Sequence, residues 1–94
     1  MRSPNTVRAR PIDPFEDVPS FELTGDTDSM DAFLDALDGR DTDHDTHDDG
    51  TPNGYGAVVW PTSLDTTREE LTHMLRRASD VGCVNLVVEP EAPR

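Results

Sequence analysis

Residues 55–60 read Tyr-Gly-Ala-Val-Val-Trp, residues 65–81 read Asp-Thr-Thr-Arg-Glu-Glu-Leu-Thr-His-Met-Leu-Arg-Arg-Ala-Ser-Asp-Val, and residues 83–89 read Cys-Val-Asn-Leu-Val-Val-Glu. Two apolar, β-branched runs flank an amphipathic stretch, which predicts strand, helix and strand joined as a right-handed crossover with parallel strands. Leu71, Met74, Leu75 and Ala78 recur at helical spacing and form one stripe. Thr66 with Glu69, and Thr67 with Glu70, each fit a capping box at its start. Arg76 and Arg77 suit the negative end of the helix dipole, and Gly82 is placed to stop the helix. In the last run Val84, Leu86 and Val88 share one face, and Cys83, Asn85 and Val87 share the other.

Working back toward the N-terminus, residues 20–24 alternate as a short strand, with Phe21 and Leu23 on one side and Glu22 on the other. Residues 26–29 are rich in N-cap types. Met30, Phe33, Leu34 and Leu37 then mark a second helix that Gly39 ends. Its opposite side carries Asp31, Asp35 and Asp38, a row of poor helix formers that repel one another. Residues 6–10 alternate as a short edge strand with Arg8 and Arg10 outward, ended by Pro11. Residues 1–19 hold Pro11, Pro14 and Pro19 and read as an extended, partly packed segment anchored by Phe15 and Val18.

The expected fold is therefore a small α/β (or α+β) layer domain over residues 20–94, with β-α-β-α-β order, two helices and three or four strands. If the strands are parallel, sequential order leaves one sheet face bare, whereas placing the first strand centrally covers both faces. Asn85 on the second face of the last strand favours partial exposure there. A bare face calls for a partner, and a homodimer is one solution. Residues 40–54 contain no apolar anchor and read as a disordered acidic loop.

Charge is the strongest global signal. The chain carries 20 acidic residues against 8 basic ones, a formal charge of −12, and every basic residue is arginine. Aspartate outnumbers glutamate by 14 to 6. Such a chain repels itself in dilute buffer, but at about 1 M salt the Debye length falls to about 3 Å and that repulsion is screened. The balance resembles that of proteins from extreme halophiles, haloarchaea in particular, which implies a concentrated-salt cytoplasm. It argues against direct nucleic-acid binding, which depends on neutralising phosphates. The single cysteine, Cys83, excludes an internal disulfide framework and reads as a buried structural thiol in a reducing compartment. No stretch is apolar enough for a signal peptide or a membrane span.

Motifs that fix a chemistry are lacking. Asp41, Asp43, His44, Asp45, His47 and Asp49 could offer oxygen and imidazole ligands to a divalent ion. Aligned on the twelve-residue Ca²⁺ loop from Asp45, however, they leave Gly56 where a bidentate glutamate is needed. The carboxyl ends of the strands would gather Asp26, Ser63, Asp65 and Glu89 at one rim, without the glycine-rich turn or lysine of a phosphate site. Cys83 and His73 stand ten residues apart with His73 off the main stripe, whereas a nucleophilic pair requires hydrogen-bond contact. The sequence thus points to a non-enzymatic interaction or regulatory domain without a cofactor. Such a domain would act through a protein partner or a second copy, with Asp31, Asp35, Asp38 and Asn85 as candidate contacts. A divalent-metal module using the Asp/His stretch is one alternative. A nucleic-acid mimic, with the Asp31–Asp35–Asp38 row replacing phosphates, is another.

Overall fold

A computed structural model describes residues 6–15, 18–38, 41–48, 50 and 52–90, without the side chains of residues 13–15. It is a mixed α+β domain: β1 (Thr6–Phe15), β2 (Val18–Asp26), α1 (Thr27–Leu37), β3 (Thr42–His47), β4 (Gly54–Pro61), α2 (Arg68–Gly82) and β5 (Asn85–Val88). The five strands form one sheet in the order β3-β4-β2-β1-β5. β1 pairs antiparallel with β2, β2 with β4 and β4 with β3, while β5 runs parallel to β1.

This departs from the expected three or four strands in β-α-β-α-β order. The helix-linked β4 and β5 do run in the same direction, but β2 and β1 lie between them. Their neighbours come from distant parts of the chain, which a local apolar pattern does not encode. The strand beyond the expected number comes from a stretch read as irregular. β3 lies within the expected acidic loop, where Thr42 to His47 pair residue by residue with Pro61 to Gly56. An edge strand needs no apolar face to satisfy its neighbour's backbone, and alternating aspartates discourage further pairing outward.

β1 likewise runs through Pro11 and is second from the edge rather than an edge strand. The Glu89 amide donates to the Ala9 carbonyl, so odd-numbered residues of β1 turn their backbone groups toward β5. β5 ends at Val88, which is level with Ala9, so the missing amide of Pro11 costs no ladder bond. Beyond Ile12 a bulge shifts the β1–β2 register. There the Arg68 guanidinium donates to the Ser20 carbonyl at 2.8 Å and the Ile12 carbonyl at 3.3 Å. It also lies over the Phe21 ring at 5.3 Å. Arginine in the first turn opposes the helix dipole. These contacts account for its place and tie the start of α2 to the hairpin.

Both helices cover one face of the sheet. Val7, Ala9, Phe21, Leu23, Ala57 and Val59 bury against Met30, Phe33, Leu34 and Leu37 of α1 and Leu71, Leu75 and Ala78 of α2. The helix starts fall within a turn of the expected ones, and of the two capping boxes offered for α2 the structure uses the second. Asp26 caps α1 by accepting from the Ser29 amide, and Thr67 with Glu70 forms the capping box of α2. The end of α2 differs from the expected one. Gly82 remains helical, and a Cβ there would sit 3.0 Å from the Ala32 carbonyl oxygen, so its small size serves close approach of the helices. The left-handed residue is Cys83, at φ 55°, and it is exposed rather than buried or part of a strand. The Val84 amide closes the motif on the Ser79 carbonyl at 2.9 Å, and Val84 buries its side chain. Gly39, Asp49, residues 1–5 and the tail 91–94, as well as the Phe15 side chain, lie outside the described part.

Candidate interaction surface

The helices leave the other sheet face uncovered. Strand alternation points Arg8, Arg10 and Ile12 of β1 to this face, with Glu22 and Thr24 of β2, Gly56, Val58 and Trp60 of β4, Asp43, Asp45 and His47 of β3, and Asn85 and Val87 of β5. Two contacts fix that assignment. Arg10 Nη2 bonds Glu22 Oε1, and His47 Nε2 lies 3.4 Å from Glu22 Oε2. His47 reaches Glu22 because Gly56 lies beneath its ring: a Cβ at Gly56 would fall 2.6 Å from His47 Cε1. Any side chain there would lift the imidazole off the sheet.

The register arranges these residues in rows across the strands. One row runs Arg10, Glu22, Val58, Asp45, and the next runs Val87, Arg8, Thr24, Gly56, His47. The arginines lie on β1 and the aspartates on β3, with Glu22, Thr24, Gly56 and Val58 between them. The described outward positions carry two arginines against three carboxylates, whereas the whole chain carries −12. The acidic excess lies elsewhere: α1 alone presents Asp28, Asp31, Asp35 and Asp38, all exposed, with no basic residue. Val87 is 42% exposed, and at the far end of β4 Leu64 stands 81% exposed beside Trp60, Pro61 and Val18, around an open depression of about 440 Å³.

Other expected sites disperse. On β3, His44 points to the helix side while Asp43, Asp45 and His47 point away from it. Among the described residues no three histidine, cysteine, aspartate or glutamate side chains are grouped to hold a metal ion, and Asp49 lies outside them. The rim also comes apart. β2 and β4 are antiparallel, so Asp26 ends at the opposite edge of the sheet from Ser63 and Asp65. Glu89 follows β5, three strands from β4 and so about 14 Å away at ordinary strand spacing. Asp26 is occupied as a cap, accepting from the Ser29 hydroxyl at 2.7 Å.

In the helix row, Asp31 is joined to the sheet. The Tyr55 hydroxyl donates to its Oδ1 at 2.7 Å. Burial, and then the bond to and charge of Asp31, push the Tyr55 phenol up to about 12. Asp35 and Asp38 are exposed, and Asp38 ends α1. Asn85 is exposed on the uncovered face, at the edge strand. What the sequence did not reveal is the alignment of Arg10, Glu22, Val58 and Asp45. Outward arginines in β1 and an outward Glu22 were legible, but only the register brings them side by side.

No helix among the described residues is long and apolar enough to cross a membrane. No known family model, curated protein or solved structure matches the chain.

Proposed function

We propose that this chain is a non-enzymatic interaction domain, acidic so as to work in concentrated salt, and that it engages a protein through the uncovered face of its sheet. The observation that carries this reading is the contrast in charge. A chain at −12 keeps one broad face almost balanced and places Val58, Trp60 and Val87 on it. Interfaces need such relief, because juxtaposed like charges oppose association at any contact. The acidic row of α1 supports a second reading, mimicry of a phosphate backbone toward a basic protein.

A photo-crosslinking residue placed at Val58, and separately at Asp35, tests both readings in molar KCl, in concentrated purified protein and in extract of the source cells. Adducts formed from Val58 and not from Asp35 are the expected result. Adducts from Asp35 alone would transfer the function to α1, and none from either would remove both.

A further inference from the structure

One row on the uncovered face ends in complementary charges, Arg10 on β1 and Asp45 on β3, and this points to what covers the face. Resting on the reading above, we infer that the occupant is a second copy of this chain, packed face to face about a two-fold axis that runs along the strands between β2 and β4. Such an axis reverses the strand order of the second copy. β2 then faces β4, and β1 faces β3. Within one row, Arg10 meets Asp45 of the second copy, Glu22 meets Val58, and the same contacts recur on the other side of the axis. In the next row Arg8 and Thr24 face β3 and β4 at the level of His47 and Gly56, where the His47 ring lies over Gly56 and is what Thr24 meets, at the usual sheet spacing of about 10 Å.

The other two-fold that stacks these faces with their strands aligned runs across the strands. It puts β1 on β1 and β3 on β3, so that arginine opposes arginine and aspartate opposes aspartate. Charge therefore selects one axis of the two. Size allows it as well. The molecule measures 38 × 31 × 20 Å, the shortest extent being one sheet plus one layer of helices. A face bounded by the longer two has room for the roughly 800 Å² per partner of a standard interface. Arg10 already serves Glu22, but a guanidinium has five donors and can serve a second carboxylate. At molar salt the long-range repulsion between acidic copies is screened, while charge pairs shielded between the sheets are screened much less.

The test uses reversal of charge. Sedimentation of the full chain in molar KCl, from micromolar to near-millimolar concentration, is expected to show a monomer–dimer equilibrium. Arg10→Asp alone and Asp45→Arg alone each create two like-charge contacts per dimer, and each is expected to weaken association by about 100-fold or more. An equimolar mixture of the two variants pairs opposite charges at both contacts, so it is expected to dimerise within about tenfold of wild type. Recovery on mixing also shows that each variant is folded. Should either reversal fail to fold, Arg10→Gln removes the charge while keeping a polar side chain and is expected to weaken the dimer by about tenfold.

A wild type that stays monomeric throughout overturns the inference. So do single variants that dimerise like wild type, or a mixture that remains monomeric. If the wild type is monomeric yet the Val58 probe captures a different protein, self-association fails and the interaction face stands. If neither occurs, both fail.

Discussion

Tyr55 is the single tyrosine of the chain, and its hydroxyl ties the sheet to α1 through Asp31. Its folded-state pKa is raised from 10.0 to about 12. Below pH 10 the phenol is protonated in both states and its contribution is complete. Between pH 10 and about 12 it ionises in the unfolded chain first, so stability falls across that window and the contribution is gone above it. Phenolate absorbance should therefore titrate late in the folded protein. Tyr55→Phe should lose about 0.5–1.5 kcal/mol at neutral pH and should lack the extra alkaline loss. Denaturant melts of both proteins across that range check this. A wild-type slope no steeper than that of Tyr55→Phe would contradict it.

At the scale of elements, helices and strands differ in how much of their cause is local. Both helix starts were legible to within a turn because caps such as Asp26 and the Thr67–Glu70 box act locally, and the stripes Met30–Phe33–Leu34–Leu37 and Leu71–Leu75–Ala78 are set by periodicity alone. β3 was illegible because its worth lies in the backbone of β4, and Thr-Asp-His-Asp-Thr-His has no apolar residue to announce it. The alternation of Thr42, His44 and Thr46 with Asp43, Asp45 and His47 was the one available sign. The end of α2 was misplaced by a residue for a tertiary reason: Gly82 is needed small against Ala32, which leaves the left-handed turn to Cys83. A non-glycine residue in that conformation costs about 1–2 kcal/mol. Cys83→Gly is accordingly expected to stabilise the domain, by about 1 kcal/mol. Thermal unfolding with and without the change measures it, and unchanged or lower stability would refute it.

For the molecule as a whole, we propose that the carboxylate excess sets the salt conditions under which the fold holds. α1 has acidic side chains from its first turn to its end and no cation in its last turn, so its stability depends on screening and on its seat against the sheet. We expect circular dichroism to show helix and cooperativity rising from dilute buffer to molar KCl, with α1 the element that gains most. Spectra and melts that do not change with salt would remove the halophilic reading. That one sheet face lies bare was within reach of the sequence, as one of two arrangements, with Asn85 as its pointer. The placing of its arginines at β1 and its aspartates at β3 was not, because that depends on which strand stands at which position.

The parallel pairing of β5 with β1 has a kinetic consequence. Thr6 and Asn85 are register partners although roughly eighty residues separate them along the chain. On the ribosome, β1 and β2 can zip into a hairpin early, but the flank of β1 that β5 will occupy must wait until nearly all of this stretch has emerged. During that interval an open strand edge is available to any other nascent chain, and the lifetime of that exposure bears, alongside the stability of the finished sheet, on how cleanly the domain is made.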